Sequence, residues 1–286
     1  MPSPLIPSEP PASLRFRRRM NLPEFARLAW RSRLLAFTLS ERELRVRYKQ
    51  ALLGMAWAFA APLGYVLVFT VFFDRTANIE TFGRPYPVFA YAAIIPWGFF
   101  AQALSRCSTA IVDNLVLLNK VSCPRETFVF SGIATAVVDM LVSAVAFPIV
   151  VLSFGEHFYA ASFLLIPVLV LQVAIAAAIA LFLSSILMYV RDVRHLLPLA
   201  TQLLMFATPV VWGQSAIRQR LSGPVFDLYV ALNPMATVCE SYRRALVYGQ
   251  SPDWSVFGIS SASTAIFLAF AYWVFKRLEP GFADVA

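Results

Sequence analysis

Charge is scarce in this chain. Of its 286 residues only 14% are Asp, Glu, Lys or Arg, against 59% hydrophobic, and the mean hydropathy is +0.68. A soluble domain carries about a quarter charged residues, so too little polar material is present to clothe a water-soluble globule. Histidine and cysteine are scarcer still, at two and three. Cys107, Cys123 and Cys239 are scattered without metal-ligand spacing and read as small apolar residues. His157 and His195 fall in different segments, so no convergent His constellation forms. The chain also lacks a Gly-rich phosphate loop ending in Lys-Ser or Lys-Thr, an Asp-x-Asp pair for a metal-bound nucleotide, and a Ser/His/Asp set. These absences argue against a glycosyltransferase or a phosphatase, and against a nucleotide held by a phosphate loop of this chain. No catalytic residue and no metal ligand is expected.

What the chain has is long uncharged sequence. A helix crosses about 30 Å of hydrocarbon with about 20 apolar residues, and six stretches qualify, making an all-α integral membrane protein with spans at about 51–73, 87–109, 127–153, 160–190, 196–214 and 254–275. Pro96 falls inside the second span, where a kink is expected. The expected organisation is a disordered Pro- and Arg-rich tail over 1–22 with no signal peptide, amphipathic interface helices over 23–50, the six-span domain over 51–275, and a tail over 276–286. With both termini cytoplasmic, 18 of the 24 Lys and Arg residues lie on the inner side, as the positive-inside rule requires. That rule also explains the net charge of +8 without nucleic acid, since no recognition helix or aromatic-interleaved basic repeat accompanies it.

Two segments do not span. "RELRVRYKQALLGMAW" places Arg42, Arg45, Arg47 and Lys49 within eight positions before turning apolar. Ser40 and Glu43 fit a capping box, predicting a helix that starts at Ser40, with Leu44, Tyr48 and Leu52 on one face and cations on another. Such a helix lies in the membrane interface, basic toward anionic headgroups and apolar toward the acyl boundary. The second segment, 215–253, reads as two short helices in a re-entrant hairpin. Asn233 caps the second, Pro234 opens it and Gly249 ends it. Met235, Val238, Tyr242 and Leu246 form its apolar stripe, and Glu240 can pair with Arg243 or Arg244. Non-helical backbone at membrane depth is tolerated only where protein buries it or water meets it, and a pore mouth would supply both.

Asp139 is the one acid inside a predicted span. An intramembrane acid is a functional candidate by default, although a structural partner on a neighbouring helix is at least as good a reading. Aromatics are plentiful, with 25 Phe, 10 Tyr and 6 Trp. Tyr65, Phe69, Phe72 and Phe73 on the first span, and Tyr91, Trp97, Phe99 and Phe100 on the second, are candidates to line a passage where flat rings meet sugar faces. Lipid-facing belts account for many such residues, and the sequence does not separate the two sets.

The stretch "RELRVRYKQALLGMAWAFAAPLG" resembles the opening signature of permease subunits of bacterial ABC-type polysaccharide exporters. The resemblance continues in order through "PYPVFAYAAIIPWGFFAQAL", "NKVSCPRE", "VVDMLV", "YVRDVRHLLP", "TPVVW", "LNPMATVCESYRRAL" and "RLEPGFADVA", covering nearly everything after residue 25. It is most similar to the O-antigen (lipopolysaccharide) export type, with capsule and teichoic acid exporters as relatives. Ala51 stands where the pattern commonly has Ser or Thr, and the tail before residue 21 is not explained by it. The resemblance implies an inner-membrane half-transporter that pairs with a second copy of itself and docks two copies of a separate ATPase. ATP and Mg would then be bound by that partner and no cofactor by this chain. It further implies that Arg42, Arg45, Arg47, Tyr48 and Lys49 contact the ATPase and membrane lipids. Lys120, Pro124 and Arg125 in the loop 113–126 would couple to its stroke, and Asn233, Pro234, Glu240, Arg243 and Arg244 would belong to a periplasmic gate. The implied substrate is a polyprenyl-diphosphate-linked glycan. A membrane-bound glycan-processing enzyme is the alternative of another class, disfavoured by the missing catalytic set.

The charge split makes topology testable. Reporter fusions at Ala286 and within 191–195 should read cytoplasmic, and fusions near Gly155 and Gln219 periplasmic. A periplasmic signal from 191–195 contradicts the six-span order.

Overall fold

The computed structural model describes residues 22–49, 57–74, 80–115, 124–221 and 223–282, and among these the regular structure is entirely helical. Helix α1 (Leu22–Lys49) is followed by α2 (Trp57–Phe69), which runs into a π-turn over Thr70–Asp74. Next come α3 (Tyr86–Asp113), α4 (Glu126–Ser153), and α5 (Leu165–Leu187), entered through a 3-10 turn at Ala160–Leu164. Then follow α6 (Val193–Ala207), α7 (Gln214–Arg220), α8 (Pro224–Leu232), α9 (Pro234–Leu246) and α10 (Trp254–Leu278), with a final 3-10 turn at Glu279–Gly281.

Among the described residues four helices are long and apolar enough to cross a membrane: Tyr86–Asp113, Glu126–Ser153, Ala160–Leu187 and Trp254–Gly281. Each has 28 residues, about 42 Å at 1.5 Å per residue, which exceeds the hydrocarbon thickness. The remaining two predicted spans are shorter as helices. Phe59–Phe72 and Val193–Ala207 are apolar but below that length, and residues 51–56 of the first predicted span lie outside the described residues. The span expected at 196–214 stops being helical at Ala207, because Pro209 has no N–H to continue the ladder and restricts the residue before it.

Ion pairs and hydrogen bonds mark two ends of the bundle. At one end the start of α3 meets the α4–α5 connection, where Arg84 donates to Glu156 at 2.6 Å and to the Tyr159 hydroxyl at 2.8 Å. At the other, Arg125 at the start of α4 donates to the Glu279 carbonyl at 2.5 Å, and Arg194 donates to Asp113 at 2.7 Å. Helices α3, α4 and α5 therefore alternate in direction, while α10 runs the same way as α5, the ends of the two meeting where the Tyr189 hydroxyl donates to the Leu278 carbonyl at 3.0 Å. Helix α3 is central, with 78% of its most apolar stretch buried, against 22% for α10 at the periphery.

Lipid tails are as apolar as leucine, so helices here associate by close packing of small residues rather than by hydrophobic expulsion from water. On α5, Ala176, Ala177, Ala178 and Ala180 are all buried. Where α3 meets α4, Gly132 faces Cys107 so closely that a Cβ would sit 2.8 Å from its Sγ and 3.3 Å from its Cα. Helix α3 continues through Pro96 as one element.

The sequence expectation fails at Ser40. Helix α1 is continuous from Leu22 to Lys49, so Ser40 lies in its interior and caps nothing. It is buried and accepts from the Thr135 hydroxyl at 3.0 Å. The same helix turns Trp30, Leu34 and Phe37 outward, at 67, 75 and 60% exposure, an apolar stripe at helical spacing suited to a membrane interface.

Close packing at Gly132 predicts a steep steric response. Gly132→Val should cost about 1–3 kcal/mol through overpacking, read as a lower melting temperature of the detergent-purified protein. Gly98, with nothing within 4 Å of its would-be Cβ, should accept alanine without loss. Equal melting temperatures for the two variants contradict the tight α3–α4 contact.

Candidate functional site

The basic end is built on α1, α3 and α4. Arg106 donates to Glu43 at 3.0 Å and approaches Asp139 at 3.9 Å. Asp139 is only 2% exposed, and a buried carboxylate is tolerable when paired. The acid thus belongs to a charge network across three helices, and Arg106, its cation, lies inside the span expected at 87–109. Thr135 adds a contact to Glu43 at 3.4 Å. A cavity of about 660 Å³ opens beside this network, with Arg42, Arg106, Asp113 and Asn114 among its lining residues. Arg45 pairs with Glu41 at 2.6 Å on the exposed side of α1. Arg47, Tyr48 and Lys49 belong to the same helix, and their side chains lie outside the described residues, as does that of Phe73.

The loop expected over 113–126 is bounded by structure at both sides, while 116–123, including Lys120, lies outside the described residues. Pro124 is half-buried and Arg125 is buried. The Arg125 guanidinium donates to Glu279 and lies 5.5 Å from the Phe282 ring centroid. Next to it Lys276 bridges Glu126 and Glu279, the latter at 2.8 Å, and the Tyr272 hydroxyl reaches Glu126 at 3.4 Å. The base of the loop is thus tied to the last helix. Nothing in the one-dimensional spacing of "PRE" and "RLEP" joins them, though both blocks belong to the resemblance.

The opposite end is dominated by Arg243. Where α6 breaks, the chain runs non-helically to α7, and Thr208, Val210 and Val211 are buried. Each carbonyl of that stretch has a donor. Ala207 accepts from the Tyr229 hydroxyl at 2.8 Å and the Asn233 amide at 3.3 Å. Thr208 accepts from Val210 N–H at 2.7 Å, Val211 from the Tyr86 hydroxyl at 3.1 Å, and Gly213 from Ala216 N–H at 3.2 Å. The other three belong to Arg243. Its Nη1 donates to Pro209 at 2.6 Å and Trp212 at 3.0 Å, and its Nη2 to Val210 at 2.5 Å. Its Nε donates to the Phe89 carbonyl at 3.3 Å, and the Phe89 ring lies 4.0 Å from the guanidinium. Glu240 sits 3.6 Å away.

Arg243 is fully buried. The sequence reading offered Glu240 either Arg243 or Arg244 as partner; Arg243 is the one within reach, at 3.6 Å, but its guanidinium points into the protein and mainly serves backbone. Arg244 instead donates to the Ser251 carbonyl at 2.7 Å. Asn233 joins α8 to α9 and bonds back to the α6 end through Thr208 at 3.0 Å. Pro234 occupies the first turn of α9 as expected.

A second cavity, of about 280 Å³, lies at this end between Phe82, α7, the end of α9 and Asp253, with Gln214, Glu240, Arg244 and Tyr248 on its walls. Asp253 caps α10 through Val256 N–H and pairs with Arg218 at 3.2 Å. Burial acts to raise its pKa, but the Ser255 hydroxyl, the Val256 amide and Arg218 outweigh it and hold the carboxyl below its usual value. Burial, with Glu240 nearby, pushes the Tyr248 phenol up, so it stays protonated near neutral pH. Among the described residues no group of three His, Cys, Asp or Glu could hold a metal ion.

The aromatic candidates divide by burial. Tyr91, Trp97, Phe99 and Phe100 are between 0 and 6% exposed inside the core, which removes them from any surface of this chain. Tyr65 and Phe72 are 53 and 65% exposed, and Tyr65 stacks on Phe69 at 6.0 Å.

Residues 35–247 match the family described as ABC-2 type transporter. The chain belongs to that family. It is a transporter subunit rather than an enzyme. This ABC-2 chain is 29% identical over 255 residues to the O-antigen export system permease protein of Myxococcus xanthus, covering 87% of this chain and 94% of that protein. It is 21% identical over 252 residues to the protein of the same name from Klebsiella pneumoniae, covering 88 and 94%. It is also 24% identical over 210 residues to the polysialic acid transport protein of Escherichia coli, covering 73 and 79%.

For this ABC-2 chain the carbonyl cage makes a sharp prediction. Arg243→Ala orphans buried carbonyls at about 1–3 kcal/mol each, so little folded protein should survive membrane extraction. Arg243→Lys should also fail, because an ammonium cannot reproduce the planar fork. Arg244→Ala should be recovered at normal yield. Size-exclusion chromatography of matched membranes measures all three, and normal recovery of both Arg243 variants contradicts the cage.

Proposed function

We propose that this chain is the channel-forming subunit of an ATP-driven exporter that moves lipid-linked polysaccharide of the O-antigen type from cytoplasm to periplasm. One observation carries the reading: similarity to O-antigen export permeases runs from end to end, over 87% of this chain and 94% of the Myxococcus xanthus protein. In this reading the chain sits in the inner membrane with both termini cytoplasmic. The apolar helices at 59–72 and 193–207 complete six crossings, the second finished by the caged turn rather than by helix. Two copies form the passage, and exposed Tyr65 and Phe72, with Phe69 beside them, offer rings to it. Arg42 and Arg106 flank the larger cavity at the basic end, where the diphosphate head of the carrier lipid is expected to meet the protein. The ATPase partner binds ATP and Mg, docks on α1 and the 113–126 loop, and drives the spans between closed and open forms. Helices α8 and α9 stand at the periplasmic mouth. A capsular or teichoic acid polymer is the second reading, favoured by the likeness to the polysialic acid transport protein.

Affinity purification of the tagged chain from native membranes should recover an ATPase polypeptide, and gene deletion should abolish a surface glycan while its lipid-linked precursor accumulates. Retention of all surface glycan sinks the proposal. Whether lipopolysaccharide or capsule is lost decides between the two polymers. Within the loop, Lys120→Glu should weaken ATPase recovery at normal protein level. Arg125→Glu, which leaves the Glu279 carbonyl without its donor, should instead lower the amount of folded chain. Full ATPase recovery with Lys120→Glu removes that residue from the docking surface.

A further inference from the structure

The smaller cavity carries features that the helix packing does not require. Gln214 is 92% buried, its exposure being 8%, yet its side-chain nitrogen has no partner among the described residues. The Tyr248 hydroxyl is likewise buried and unpartnered there. Both residues line the same space of about 280 Å³. Buried polar side chains in native proteins almost always find partners, so two orphans around one cavity call for an occupant. A third feature sits at the rim. Phe82 has a φ of 52° and 59% exposure. A bulky residue in the left-handed region is a backbone outlier, and outliers of this kind cluster at functional sites. Its ring stands edge-on to Tyr248 at 5.7 Å.

The chemistry of the walls selects the occupant. Two arginines, Arg218 and Arg244, and two carboxylates, Glu240 and Asp253, line the cavity, so its walls carry no net charge that would select an anion. It offers donors (the Gln214 amide and Arg244) beside an acceptor, Glu240, and an aromatic face at the rim. A ligand matching this has groups that both donate and accept, carries no charge, and shows an electropositive C–H face to the negative face of a ring. The volume lies just under the roughly 300 Å³ at which pockets for drug-sized ligands begin, which suits one ring and not a chain of them.

We propose that this cavity is a binding site for a single sugar ring, held by the Gln214 amide, the Tyr248 hydroxyl and Glu240 and covered at its rim by Phe82. The binding chemistry stands by itself; only the source of the sugar, a unit of the emerging polymer, rests on the export reading above. The site then gives the glycan a foothold on the exit side, off the ATPase end of the bundle.

The full-length chain, purified in detergent, can be titrated with the methyl glycosides of glucose, mannose, galactose and N-acetylglucosamine, using saturation-transfer NMR as the readout. At least one glycoside should bind saturably. Gln214→Leu and Tyr248→Phe should each weaken it about tenfold, the loss of one good hydrogen bond. Because both substitutions remove an unpaired polar atom, neither should lower the melting temperature, which separates lost binding from lost fold. The proposal is overturned if no glycoside saturates, if both variants bind like the parent, or if inorganic phosphate binds in their place. Absence of a copurifying ATPase alongside intact glycoside binding counts against the export reading alone.

Discussion

A backbone carbonyl buried away from water must find a donor within the protein, and the break after α6 exists because that demand is met from elsewhere in the chain. Seven consecutive carbonyls, from Ala207 to Gly213, have donors, and three of them are held by one guanidinium. Arg243 suits this task because its donors lie in one plane, its charge is permanent, and its flat surface stacks against Phe89. Desolvating that charge is costly. The cost is offset here by four carbonyls and by the nearby Glu240 carboxylate. The short helices α7, α8 and α9 all take their positions from this turn.

The rest of the polar interior follows the same logic at lower density. Asp139 is matched by Arg106, and Glu126 and Glu279 share Lys276. Gln172 ties α5 to α9 through the Tyr242 hydroxyl at 2.9 Å. The contacts of Arg106 with Asp139, Lys276 with Glu126 and Tyr242 with Gln172 each join two different helices. Between these points the contact surfaces are small residues, as on α5 and at Gly132, which bring backbones close where no hydrophobic expulsion would.

The apolar runs made the all-helical class and the four long spans readable, because length and hydropathy are local properties. Pro234 at the start of α9 and the stripe of Met235, Val238 and Tyr242 were legible for the same reason. Reading failed where the answer depended on a partner far along the chain. Ser40 and Glu43 have the spacing of a cap, yet α1 runs through them because Thr135 on α4 takes up the Ser40 hydroxyl. Arg243 and Arg244 are adjacent and chemically alike, and only the fold sends one inward to carbonyls and the other out to Ser251. Aromatic residues on α2 and α3 have similar composition, and burial alone separates Tyr65 from Tyr91. The one available hint at Arg243 was the nearby "TPVVW", a proline break inside an apolar run, which had to find donors somewhere.

The tie between the start of α4 and the end of α10 has a counterpart toward the other end of α10. Arg125, Glu126, Lys276 and Glu279 lock two helix ends that are adjacent in space and about 150 residues apart in the chain. These contacts hold the first turn of α4 against the end of α10. Helix α10, the least buried of the four long helices, meets α8 toward its other end, where the Ser260 hydroxyl donates to the Val230 carbonyl. The molecule thus holds one long helix tied near both of its ends to segments far away in the chain, to the start of α4 at one and to α8 at the other.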